Sequence, residues 1–216
     1  LPFLIDNNIL LSKLSVRDWS EGGAYVHNLF AGNFEFKPQG RFTPYHLPHS
    51  TELAGLLQTR CGDNRFYNNI FMNGMHEKDF QITGIRAYSK TELPVFVDGN
   101  VYLNGVEPFP GEKNFLEAEN HMEIQISDDK TSAIMYLNIP ESVKKVKTLP
   151  IHTENLGKAL VPGQPFENPD GSPLQIDTDY FGQKRNRKKP VAGPFENPEQ
   201  GKFNLLPESK KWKPAF

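Results

Sequence analysis

Apolar residues in the first half of this chain fall into short runs that break at asparagine and resume at once. Four stretches share the pattern: FLIDNNILLS (3–12), AYVHNLFAG (24–32), RFYNNIFMNG (65–74) and VFVDGNVYLNG (95–105). Aligned on Asn8, Asn28, Asn69 and Asn100, each has an apolar residue two or three positions upstream. Two apolar residues follow each: Ile9-Leu10, Leu29-Phe30, Ile70-Phe71 and Val101-Tyr102. A turn residue comes next: Ser12, Gly32, Gly74 or Gly105. Runs this short predict strands, and Asn is a poor strand former unless something else holds it. The spacings of 20, 41 and 31 residues read as one repeat, two repeats, and one repeat with an insertion. A unit of about 20 residues suits a solenoid of stacked strands. In a stack, each Asn amide can bond the one above and the one below, which makes its burial tolerable. Asn also accepts the left-handed backbone of a tight corner.

The predicted fold is therefore all-β, a parallel β-helix over 1–105 with long insertions at about 33–62 and 75–94. Helix-compatible stretches are short and confined to about 51–59 and 140–147. The segments HMEIQIS (121–127) and SAIMYLNI (132–139) alternate around DDKT and predict an antiparallel hairpin that caps or flanks the stack within 106–150. Residues 151–216 are rich in Pro, Asn and Gly and echo themselves in PFENPDG and PFENPEQG. Their apolar residues, Phe166, Leu174, Ile176, Tyr180, Phe181, Phe195 and Phe203, predict a tail packed on the body rather than a free linker.

Composition narrows the function. A net charge of −2 gives no global field towards nucleic acid or a membrane surface. No apolar run approaches the ~20 residues of a membrane span. Cys61 is alone, so no intrachain disulfide forms. There is no P-loop, GxGxxG, GxSxG or CxxC, so phosphoryl transfer, dinucleotide use and serine or cysteine hydrolysis have no motif. No cofactor is expected. The basic run KRNRKK (184–189) has the pattern of a nucleic-acid patch, but it is short and a solvated loop is the stronger reading.

Two stretches could carry chemistry. RFTPYHLPHSTELAG (41–55) offers Arg41, Tyr45, His46, His49 and Glu52, held extended by Pro44 and Pro48. A guanidinium, two imidazoles and a phenol ring suit a sugar-lining loop; a solvated loop competes closely. His46 and His49 lack the further ligands a zinc site needs, so no metal is assigned. VRDWSEGGAYVHN (16–28) offers Asp18 and Glu21 as weak candidates for a carboxylate pair, and Trp19 for stacking on a sugar ring. Asp and Ser before Gly-Gly are also ordinary corner chemistry. Asp63 and Arg65 are expected to form a structural ion pair or corner bonds.

PFLIDNNILLS, DWSEGGAYVHNLFAG, RFTPYHLPHSTELAG, GDNRFYNNIFMNG and NPDGSPLQIDTDYFGQKRN together resemble the C-terminal half of bacterial β-helix glycosidases, of the glycoside hydrolase family 120 β-xylosidase type. The resemblance covers most of the chain. It implies a right-handed parallel β-helix and a retaining enzyme with an Asp nucleophile and a Glu acid/base. It places both of those carboxylates upstream of the segment matching PFLIDNN, so neither is carried onto Asp18 or Glu21. What it leaves to this chain is one wall of a substrate pocket: Trp19, Glu21, Arg41, Tyr45, His46 and His49. The chain begins inside a repeat, with no Met and no basic leader, and is expected to be the C-terminal part of a longer protein, whose preceding part is then a partner. The expected ligand is an oligosaccharide or polysaccharide from plant material, and a periplasmic or secreted location is favoured over a cytoplasmic one. Association through an open strand edge is a further possibility. Two alternatives stand beside the glycosidase: a β-helix polysaccharide lyase, for which an acidic calcium cluster is lacking, and a non-catalytic carbohydrate-binding or adhesin-like solenoid.

Overall fold

A computed structural model describes residues 2–74, 76, 81–119, 121–126, 133–138, 141–198 and 201–205. Its strands are β1 (Phe3–Asp6), β2 (Ile9–Leu10), β3 (Leu14–Asp18), β4 (Gly23–Val26), β5 (Leu29–Phe30), β6 (Asn33–Phe36), β7 (Gln39–His46), β8 (Leu53–Thr59), β9 (Asn64–Tyr67), β10 (Ile70–Met72), β11 (Val95–Asp98), β12 (Val101–Leu103), β13 (Leu116–Ala118), β14 (His121–Ile126), β15 (Ala133–Asn138), β16 (Ile151–His152), β17 (Gln175–Ile176) and β18 (Lys202–Asn204). Helix is sparse among the described residues: two 3₁₀ segments, Gly84–Lys90 and Glu141–Lys145, and one α-helical turn, α1 (Thr153–Leu156).

Each asparagine repeat is a corner between two strands. The strand before it joins a parallel sheet of order β1-β4-β9-β11, and the strand after it joins a second of order β13-β12-β10-β5-β2. The four asparagines stack in one line. Asn8 N–H donates to Asn28 Oδ1 (2.9 Å), Asn28 N–H to Asn69 Oδ1 (2.9 Å), and Asn69 N–H to Asn100 Oδ1 (2.8 Å). The left-handed backbone falls on the residue before each: Asn7 (φ 55), His27 (φ 55), Asn68 (φ 55) and Gly99 (φ 73). So the pair Asn68-Asn69 divides the work. The first residue turns the corner and the second links the layers. The sequence reading gave both tasks to the aligned residue.

Stacked positions hold like side chains. Tyr25 lies on Phe66 with ring centroids 4.7 Å apart, and Phe30, Phe71 and Tyr102 form a column at 5.3 Å per step. Aromatic pairs of this kind add ~0.5–1.5 kcal/mol each beyond their buried area. Alternate residues of the second sheet (Leu29, Ile70, Val101) face the other way, into a cluster with Phe195 and Phe203. Both faces of these strands are thus covered, as parallel sheets require.

The expectation of one right-handed parallel β-helix is corrected. Among the described strands, parallel sheets are the two stacks of short strands and the two-stranded β3-β6, while β7-β8, β14-β15-β18 and β16-β17 are separate antiparallel sheets. A continuous coil needs every layer to return through equivalent strands. Here the chain returns through β6 and then an antiparallel hairpin after β5, but through the 3₁₀ segment Gly84–Lys90 after β10. The result is all-β, with several sheets in a different arrangement. The 41-residue spacing is likewise one step, since β4 pairs directly with β9. The stretch around 51–59 is strand β8 and not helix, because it completes that hairpin with β7.

Strands β14 and β15 pair antiparallel; the DDKT turn lies outside the described residues. Further on, Phe166 packs with Ala24, Val26, Ile151 and Leu156. Arg185, inside the basic run, departs from a solvated loop. It is buried, donates to Asn7 Oδ1 (2.6 Å) and to the carbonyls of Thr178, Val191 and Gly193, and faces Glu196 (3.3 Å).

Candidate functional site

The corner between β3 and β4 carries Trp19, Ser20, Glu21 and Gly22, and Asp18 fixes it. One Asp18 carboxylate oxygen accepts from Ser20 N–H (2.9 Å) and Ser20 Oγ–H (2.5 Å). The other accepts from Asn64 Nδ2–H (2.8 Å) and Tyr88 O–H (2.9 Å). Burial, with the nearby Tyr25 and Asp18, pushes the Tyr88 phenol well up, so it stays a donor. Asp18 is 3% exposed and both its oxygens are committed to holding the corner. Gly22 closes it at φ +77, where a Cβ would stand 2.8 Å from that of Ala159.

This corner opens on a cavity of about 150 Å³. Trp19, Glu21 and Gly22 form one side. The hairpin β7-β8 supplies Thr43, Tyr45 and Leu57, and the later segment supplies Val161 and Pro162. Tyr45 faces Gly55 across the hairpin, and a Cβ at Gly55 would meet the Tyr45 ring at 2.8 Å; the glycine lets the ring lie flat on its partner strand. Asp63 also lines the cavity. Its Oδ1 is paired with Arg65 (2.7 Å) and its Oδ2 accepts Leu160 N–H (2.7 Å). The structural ion pair of the sequence reading is thus present, and it is buried.

Glu21 differs from Asp18 and Asp63. Its Oε1 accepts Arg60 N–H (2.9 Å), but its Oε2 is buried with no hydrogen-bond donor among the described residues, and the Arg60 guanidinium stands 3.9 Å away. The side chain is only 9% exposed. A buried acceptor left without a donor costs ~1–3 kcal/mol. Trp19, by contrast, is 47% exposed and presents an open ring.

Of the six residues predicted to bind substrate, Trp19, Glu21 and Tyr45 share this cavity. His49 lines a second one of about 300 Å³, with Pro2, Phe3 and Phe166, and its Nε2 lies 2.9 Å from Glu167 Oε2. His46 lines neither; its Nδ1 is 3.0 Å from Thr51 O, and its own carbonyl accepts from Gln164 (2.9 Å). Arg41 is exposed on β7 and lines neither. Among the described residues, no group of three or more His, Cys, Asp or Glu could hold a metal ion. No helix among them is long and apolar enough to cross a membrane. The sequence reading missed Val161 and Pro162, which sit about 140 residues beyond Trp19 and reach the cavity only through the fold; nothing local marks them.

No protein-family model matches the chain, and no curated protein matches it. The solved structure of XylC in complex with xylose is similar to it, with a TM-score of 0.84 and 30% sequence identity. The match covers 94% of this chain and 35% of that one, so the chain spans about a third of the length of XylC. The likeness extends the family resemblance to a protein solved with xylose, without specifying glycoside hydrolase family 120.

Proposed function

We propose that this chain belongs to a carbohydrate-active protein acting on xylose-containing fragments, and that its cavity at Trp19, Glu21 and Tyr45 binds one sugar residue. The observation that carries the reading is an exposed indole, Trp19, beside a carboxylate, Glu21, in the lining of one small cavity. A sugar ring offers an apolar face to the first and hydroxyl donors to the second. The likeness to a protein solved with xylose supports it. The volume, small against the ~300–1,000 Å³ of sites for larger ligands, suits a single residue.

The finer reading is a retaining, β-xylosidase-like hydrolase. That chemistry needs two carboxyl groups ~5–5.5 Å apart, one as nucleophile and one as acid/base. Asp18 and Asp63 have both oxygens engaged, so binding is the role proposed for this cavity. The carboxylate pair is proposed to come from another part of a XylC-like chain.

Titration with methyl β-xyloside, followed by tryptophan fluorescence, tests the binding. The expected result is saturable quenching that Trp19→Ala abolishes. Quenching that survives the substitution, or none in the unaltered protein, overturns the site. Release of nitrophenol from an aryl β-xyloside by the whole protein then separates hydrolysis from binding without turnover.

A further inference from the structure

We infer that the cavity selects an uncharged sugar and turns away one carrying a carboxylate, with Glu21 as the selecting residue; this rests on the sugar-binding reading above. Among the described residues its lining holds two carboxylates, Glu21 and Asp63, and no lysine, arginine or histidine. The two acids are not equivalent. Asp63 is neutralised by Arg65, which is buried and outside the lining. Glu21 has a weaker counter-ion: Arg60 stands 3.9 Å from it, is largely exposed, and is shared with Glu92 at 3.4 Å.

Nor can Glu21 turn aside. Its Oε1 is tied to Arg60 N–H, and its backbone bridges Gly62 in parallel. Gly22 follows at φ +77, and Asp18 pins the residue before it. The position of Oε2 is therefore set by the corner. An ionised carboxylate only accepts hydrogen bonds, so Glu21 has nothing to offer a second carboxylate. A uronate would also bring like charge beside Glu21, and in a cavity rimmed by the exposed Trp19 that repulsion is weakened by added salt. The Trp19 ring discriminates little, since neutral and acidic sugars share the same apolar ring face. Selection thus falls to the carboxylate, and it works by repulsion as much as by attraction.

The experiment compares methyl β-xyloside with methyl β-glucuronide at pH 7, by calorimetry or ligand-observed NMR, in the unaltered protein and in Glu21→Gln. Glutamine keeps the shape and the acceptor for Arg60 N–H but not the charge. The xyloside is expected to bind at least ~10-fold more tightly than the glucuronide, a difference of ~1.4 kcal/mol. In Glu21→Gln that ratio is expected to narrow because glucuronide binding rises. Equal binding of both sugars by the unaltered protein, or an unchanged ratio in the variant, overturns the inference and leaves the sugar site standing. Failure of both sugars to bind the unaltered protein overturns the sugar site itself. Should Glu21→Gln not fold, the ratio in the unaltered protein is read against ionic strength. A ratio that shrinks with salt supports the charge mechanism, and a flat one overturns it.

Discussion

Asn69 and Asn100 are joined twice: the backbone N–H and the Nδ2–H of Asn69 both donate to Asn100 Oδ1, at 2.8 and 3.1 Å. Asn28 repeats the arrangement towards Asn69, at 2.9 and 3.1 Å. Each of these amides also reaches back one layer to a carbonyl, Asn69 to Tyr25 O and Asn100 to Phe66 O. One side chain therefore bonds two backbone groups of the preceding layer, an N–H and a carbonyl, and a side-chain oxygen of the next.

Replacing Asn69 with Ala strands the Asn28 N–H inside the core and removes one of the bonds to the Tyr25 carbonyl. An unsatisfied buried N–H costs ~1–3 kcal/mol and a lost hydrogen bond ~1, so a loss of ~2–4 kcal/mol is expected in denaturant unfolding. Asn8→Ala serves as the comparison. Asn8 is exposed, and its side chain donates only to Asp6 O of its own layer. A loss there as large as at Asn69 would refute the ladder as the source of the effect.

The line of amides ends on a charge. Glu112 Oε1 accepts both Asn100 N–H (3.0 Å) and Asn100 Nδ2–H (2.9 Å), and its other oxygen accepts Tyr102 O–H (2.6 Å). Burial raises the Glu112 carboxyl above its ordinary 4.5, despite these bonds. A raised folded-state pKa means that the folded form holds the proton more tightly. The stability this gives is fully present below pH 4.5 and is lost as pH rises through the raised value. Glu112→Gln removes the titration. The stability difference between variant and unaltered protein is expected to move in the variant's favour from pH 4 to pH 7. A pH-independent difference would show that Glu112 does not titrate as described.

Much of this was legible, and the limits have physical causes. The four asparagines were found in register because side chains at stacked positions recur in sequence when each layer uses the same corner. The tight-turn residue was assigned one place too late, since Asn serves both as corner and as ladder, and sequence alone does not separate Asn68 from Asn69. The β-helix was over-extended from that repeat. A ladder at one corner says nothing about the path by which the chain returns, and β7-β8 and Gly84–Lys90 take different ones. At the site, Trp19 and Glu21 were visible through proximity on one loop. Tyr45 joins them because of the hairpin register, whereas Arg41 and His46, neighbours in sequence, do not line the cavity.

Arg65 ties β9 to the later chain. Its guanidinium donates to Leu156 O (2.9 Å), Lys158 O (2.7 Å), Asp63 Oδ1 (2.7 Å) and the Asp63 carbonyl, between the rings of Phe96 and Phe166 at 4.9 and 5.1 Å. Lysine offers a single ammonium and cannot span these acceptors or stack flat between two rings. Arg65→Lys keeps a cation beside Asp63 but gives up hydrogen bonds to the later chain and the ring stacking, and is expected to cost ~1–3 kcal/mol. It should also speed proteolysis within 156–166. Unchanged stability and cleavage would mean that the later segment is held elsewhere.

At the tip of the β7-β8 hairpin, His49 stands at φ 50 with its ring against Glu167, joining the hairpin to the later segment beside the second cavity. The hydrogen bond to Glu167 is the main cause that raises the imidazole pKa above its ordinary 6.5. The Glu167 charge, the Pro169 carbonyl and the more distant Asp170 act in the same direction. A histidine raised in this way strengthens the contact fully below pH 6.5, and the contribution fades as pH rises through the elevated value. The His49 ring resonance in NMR is therefore expected to titrate above 6.5, and in Glu167→Gln to fall back towards it. Cleavage by a protease at the 47–51 turn should increase over the same pH interval in the unaltered protein, and lose that pH dependence in the variant. A His49 midpoint unmoved by the substitution would show that Glu167 does not hold the tip.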